Sequence, residues 1–98
     1  MAVHHLTITL TGAAQALSTP SAGNPSINCC ELQIESETGN AAVAVGGSGV
    51  TATDYGRTVG AGTAAAITLR PANGESIKLA STYVIGTLNQ KIHILYIQ

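Results

Sequence analysis

The chain has 98 residues, four of them Lys or Arg and five Asp or Glu, for a formal net charge of −1. That length supports one hydrophobic core. Its four cations, Arg57, Arg70, Lys78 and Lys91, are dispersed, which argues against a partner held through clustered phosphate contacts, so no nucleic acid is expected.

No run of about 18 apolar residues is present, so no membrane partner is expected. Charged residues make up 9% of the chain, against about 25% in an ordinary globular domain. Met1 to Cys30 contain none. A surface this weakly ionised, with a mean hydropathy of +0.28, suits a protein partly covered by neighbours, because interface cores are depleted in charge. A homo-oligomer, dimer or trimer, or a subunit docked on a larger assembly is the expectation. With no Phe, no Trp and three Tyr, the core must be built from Leu, Ile and Val.

Val3 to Thr11 alternates, with Leu6, Ile8 and Leu10 on one side and His5, Thr7, Thr9 and Thr11 on the other. That period predicts a half-buried strand, not the basic segment of a secretory leader. Ala13 to Leu17 is long enough for one helical turn at most. Ser18 to Pro25 is dense in Ser, Pro, Gly and Asn and reads as a loop. Ile27 to Glu35 predicts a second strand, with Cys30, Leu32 and Ile34 inward and Cys29, Glu31, Gln33 and Glu35 solvated. Adjacent strand residues face opposite ways, so Cys29 and Cys30 are expected as free thiols, one of them buried.

Glu37 to Asn40 predicts a turn and Ala41 to Val45 a short apolar strand. In the Gly-rich stretch Gly46 to Gly62, Val50 to Thr53 reads as a brief edge strand before a turn at Asp54 to Gly56. Thr63 to Arg70 predicts a strand with Ile67 and Leu69 inward, followed by a turn at Pro71 to Gly74. Short strands follow at Ser76 to Leu79 and Tyr83 to Ile85, then a turn at Leu88 to Gln90. Lys91 to Ile97 is apolar on both faces and predicts a central strand or one packed on a partner. Seven to eight short strands spaced near ten residues predict an all-β, single-domain sandwich over residues 1–98, jelly-roll-like in architecture. Residues 1–25 form a strand and loop that can serve as a docking arm.

The chemistry-bearing residues do not assemble into a recognisable motif. His4, His5 and His93 lack the spacing of zinc ligands, so no metal is expected. Ser48 sits among glycines without the strand-turn-helix context of a nucleophile elbow. The Gly-rich segment lacks the Lys of a phosphate loop. Glu35 and Glu37 share a face, but the aromatic platforms that accompany glycoside hydrolysis are sparse. The expectation is a non-enzyme with no catalytic residues and no cofactor.

The stretches Val43 to Thr51 (VAVGGSGVT), Pro71 to Ile77 (PANGESI), Tyr83 to Thr87 (YVIGT) and Lys91 to Tyr96 (KIHILY) together resemble small structural proteins of tailed-phage virions. The resemblance covers roughly the last sixty residues. Asp54 to Gly62 departs from it, with YGRTVGAG where such proteins carry a Leu- and Pro-containing turn. The resemblance implies a capsid decoration, or cement, protein made in the host cytoplasm and seated on the virion exterior. There it would bridge subunits of the major capsid protein. A tail, fibre-base or carbohydrate-binding module of the virion, with Tyr55 or Tyr83 stacking on sugar, is the alternative. Val3, His5, Thr7 and Thr9 are the first candidates for contact with the shell or with a second copy.

Overall fold

A computed structural model describes residues 3–17, 28–60, 66–72 and 74–98. The described strands are β1 (Val3–Thr9), β2 (Gln15–Ala16), β3 (Asn28–Cys29), β4 (Glu31–Ser36), β5 (Val43–Gly46), β6 (Arg57–Val59), β7 (Ala66–Leu69), β8 (Ile77–Lys78), β9 (Tyr83–Ile85) and β10 (Lys91–Ile97). The protein is all-β, as its alternation predicts. Ten described strands replace the expected seven to eight, because three pairing segments are only two residues long.

Two four-stranded sheets carry the fold, in the orders β1-β10-β4-β7 and β2-β9-β5-β6, with β3 and β8 as a separate small ribbon. Every pairing among the described strands of the two large sheets is antiparallel. Apart from the consecutive strands β5 and β6, each step along the chain from one main strand to the next changes sheet.

Ile8, Leu32, Ile34, Ile92 and Ile94 of the first sheet meet Val43, Val45, Val59 and Val84 of the second in one buried cluster. Each such side chain contributes about 1.5–3 kcal/mol on leaving water. Tyr96 is the one aromatic ring in that cluster, and His4 stacks on it with ring centroids 5.1 Å apart. The period of two in Leu6, Ile8 and Leu10 is thus explained, with Ile8 and Leu10 buried and Leu6 packed at the margin. β10 runs between β1 and β4. Ile92, Ile94 and Tyr96 on its inward face are buried, while Leu95 on its outward face is 37% exposed, so the central position leaves that face uncovered.

Four expectations need correction or fall outside the described residues. Ala13 to Leu17 holds no helical turn: Gln15 and Ala16 pair with Val84 and Tyr83, and Leu17 is fully buried. Val50 to Thr53 is not a strand. Its hydrogen bonds close local turns, from the Val50 N–H to the Gly47 carbonyl and from the Asp54 N–H to the Thr51 hydroxyl, and the edge strand comes later, at Arg57–Val59. The run through the cysteines is broken at Cys30, where the backbone bends. The loop Ser18 to Pro25, Ile27, Thr63 to Ala65 and Asn73 lie outside the described residues.

The bend at Cys30 reverses the predicted faces of the two thiols. Cys29 pairs with Ile77 in the ribbon and is buried, whereas Cys30 is exposed and its N–H bonds to the Ile97 carbonyl at 2.7 Å. Burial, with a smaller contribution from Cys30, pushes the Cys29 thiol above its ordinary value of about 9.0. Native iodoacetamide labelling followed by mass spectrometry is expected to modify Cys30 and spare Cys29 until denaturant is added. Because the unfolded chain ionises this thiol more readily, its contribution to stability holds below about pH 9 and fades as pH rises through the folded value. Equal labelling of both thiols in the native protein would contradict this placement.

Candidate functional site

The outward faces of the two sheets differ in character. On the first sheet the register sets Val3, Ile97 and Glu31 in one row, His5, Leu95, Gln33 and Thr68 in the next, and Thr7, His93, Glu35 and Ala66 in the third. Arg70 Nε donates to Glu31 Oε1 at 2.8 Å, and Lys91 stands beside Thr9. Five of the nine charged residues therefore lie on this face or at its margin: Glu31, Glu35, Glu37, Arg70 and Lys91. A hollow of about 280 Å³ lies among His5, Gln33, Glu35, Ala66, His93 and Leu95.

One hydrogen-bonded relay crosses the face. The Thr7 hydroxyl is 3.2 Å from His93 Nδ1, and His93 Nε2 is 2.7 Å from Glu37 Oε2. Hydroxyl, imidazole and carboxylate in line have the connectivity of an activated nucleophile. Here the His93 and Glu37 side chains are each more than 40% exposed, and Thr7 stands on an open strand. In that setting water competes for every charge the relay would develop, and its contacts link β1, β10 and the turn after β4. Sequence reasoning missed it, because its members are 86 and 56 residues apart. Among the described residues no group of three His, Cys, Asp or Glu is placed to hold a metal ion.

The second sheet presents a different surface. With Val43, Val45, Val59 and Val84 turned inward, alternation leaves Ala44, Thr58, Tyr83 and Ile85 facing out. Ala44 lies at the floor of a groove of about 370 Å³, with Gly12, Ala42, Ala52 and Gly86 around it and Tyr55, Thr58, Ile85 and Thr87 as its walls. A Cβ at Gly86 would come within 2.7 Å of Leu10 Cδ1, so the buried Leu10 side chain would have to move to admit a larger residue there. No lining residue is Asp, Glu, Lys or Arg. Tyr55 is 48% exposed and also borders a second hollow of about 290 Å³, formed by Gly46, Gly47, Gly49, Val50, Asp54 and Gly56.

Val3, His5, Thr7 and Thr9 lie together on β1, at the margin of the first sheet, on its outward side. The small-residue groove escaped the sequence reading because its lining comes from separate stretches of chain that only the fold brings together. Compared with known proteins, the chain matches no family model, no curated protein and no solved structure.

Proposed function

We propose that the protein is a structural subunit of a phage virion that binds the capsid exterior and stabilises it by bridging neighbouring major capsid subunits. The observation that carries this reading is the outward face of the second sheet, where a groove paved with Ala and Gly holds no charged residue. Small side chains let a partner's backbone approach closely. A face without charges is covered with little desolvation cost. Many copies on a symmetric shell make a modest contact effective. The resemblance in Val43 to Thr51, Pro71 to Ile77, Tyr83 to Thr87 and Lys91 to Tyr96 points the same way. So does a jelly-roll-like winding, which the alternation of main strands between sheets supports.

Purified protein mixed with undecorated shells of its phage is expected to bind in a fixed ratio and to raise the shell's melting temperature. Ile85→Glu places a carboxylate in the groove wall, and it is expected to weaken shell binding by about tenfold or more while the subunit's own melting changes little. No binding to any shell, or equal binding by Ile85→Glu, would remove this reading. Tyr55 at the rim of two hollows favours a second reading, a saccharide-binding module of the tail or fibre base. Glycan-array binding lost in Tyr55→Ala, with no affinity for shells, would select it.

A further inference from the structure

We infer that the free edge of β1 is the contact between two copies of this chain, which pair antiparallel about a two-fold axis through Leu6 and join their first sheets into one continuous sheet. The inference requires only the geometry of β1 and holds whether or not the protein sits on a capsid.

Among the described strands, β1 pairs only with β10, through seven consecutive partners from Val3 with Ile97 to Thr9 with Lys91, without a bulge. The direction of its backbone groups follows from the next residue. The Leu10 N–H donates to the Gln90 carbonyl at 2.8 Å, continuing the same register, so Leu10 faces β10. Alternation gives Ile8, Leu6 and His4 the same orientation. The N–H and C=O groups of Val3, His5, Thr7 and Thr9 then point away from β10, toward the side on which no described strand pairs.

Natural sheet edges are ordinarily blunted by Lys, Pro, a bulge or brevity. The other large-sheet edges fit that rule. β7 is four residues long and runs into Arg70 and Pro71, β6 is three residues beginning with Arg57, and β2 is two residues. β1 has none of these guards. At about 3.4 Å per residue it offers an edge of roughly 24 Å.

The sequence of β1 is complementary to itself. A two-fold axis through Leu6 sets Val3 opposite Thr9, His5 opposite Thr7, His4 opposite Ile8 and Leu6 opposite its own copy. Parity is kept, so inward residues meet inward residues and outward meet outward. The same register pairs the residues whose backbone groups are free. Four such pairs form, each exchanging two N–H···O=C bonds, about eight in all. No Asp, Glu, Lys or Arg lies on β1 to repel its copy. Val3, 63% exposed and the most exposed large apolar residue of the described chain, gains a Thr9 neighbour from the other copy. A second copy brings the same uncharged, unguarded edge at whatever concentration the chain itself reaches, whereas a foreign segment would have to supply such an edge independently.

The test uses the whole chain in sedimentation equilibrium from about 1 to 500 µM, with amide exchange at matched concentrations. A concentration-dependent dimer is expected, with the His5 and Thr7 amides protected in the dimer and fast in the monomer. In H5K/T7K, lysines of the two copies face each other across the axis, and the dimer dissociation constant is expected to rise by about tenfold or more. In H5K/T7E each lysine faces a glutamate of the other copy, and dimerisation is expected to be retained. Circular dichroism and thermal melts confirm that both variants fold. If neither variant folds, the concentration dependence of His5 and Thr7 exchange in the native chain decides. A monomer throughout the range, or a dimer indifferent to H5K/T7K, would overturn the proposal. A β1 edge protected only on mixing with shells would likewise overturn it, in favour of a capsid segment as the added strand.

Discussion

Ile94→Ala is expected to lower the unfolding free energy by about 3–5 kcal/mol, which is a third or more of what a domain of this size commonly has. Ile94 is 1% exposed and sits on the central strand, across from Leu6 on one side and Ile34 on the other. Its neighbours belong to both layers, so no single strand can shift to fill the space left behind. With no Phe or Trp, Tyr96 is the one ring in the cluster, and it is stacked against His4. Urea denaturation followed by far-UV circular dichroism measures the effect as a lower midpoint at unchanged slope. Leu95→Ala, one residue on and facing outward, is the control and should cost under about 1 kcal/mol. A loss below about 1 kcal/mol for Ile94→Ala would mean that the two sheets are not packed through this residue.

Gly60→Ala is expected to cost about 2–4 kcal/mol, for two separable reasons. The residue has φ +84°, in the left-handed region, where a Cβ costs roughly 1–2 kcal/mol. That Cβ would also stand 3.1 Å from Ser36 Oγ and 3.2 Å from Ser36 Cβ. Ser36 is buried, and its hydroxyl accepts from Asn40 Nδ2 at 3.0 Å. The same amide donates to the Lys91 carbonyl at 2.7 Å. Displacing Ser36 therefore disturbs a clamp between the end of β4, the turn after it and the start of β10. Gly39 supplies the comparison: its φ is +92° but nothing lies within 4 Å of its Cβ position. Gly39→Ala should show the backbone cost alone, and the excess at Gly60, about 1–2 kcal/mol, measures the packing against Ser36. Equal losses at the two positions would show that Ser36 yields freely.

Strands whose alternation is strong were legible from the residues. Tyr83 to Ile85 and Lys91 to Ile97 have the predicted bounds, and the predicted run Val3 to Thr11 contains β1. A period of two reports which way a side chain faces, not which strand lies beside it. Nothing in Lys91 to Ile97 names β1 and β4 as its neighbours. β2 was illegible because Gln15 and Ala16 have little intrinsic preference for a strand and are held in place by pairing with β9. The thiols failed for a different reason. A single bend shifts the parity of everything before it, and Asn28–Cys29 therefore reads correctly only when counted apart from Glu31–Ser36.

The candidate surfaces divide along the same line. His5, Thr7 and Thr9 form the polar side of an alternating strand, and their outward direction follows from that pattern. The free edge and the uncharged groove depend on which segments become neighbours, a property of the folded chain. Low charge indicated that some surface is meant to be covered, without indicating which.

The pairing of β1 with β10 also bears on how the chain is made. His5 and Leu95 are 90 residues apart in the chain and lie side by side in the sheet. At roughly 5–20 residues per second of synthesis, β1 leaves the ribosome about 5–20 s before its partner exists. For that interval a seven-residue uncharged segment carrying Leu6 and Ile8 has neither neighbour nor core. Crowded expression therefore favours mispairing among nascent chains, and slower initiation or lower temperature should raise the yield of correctly folded protein.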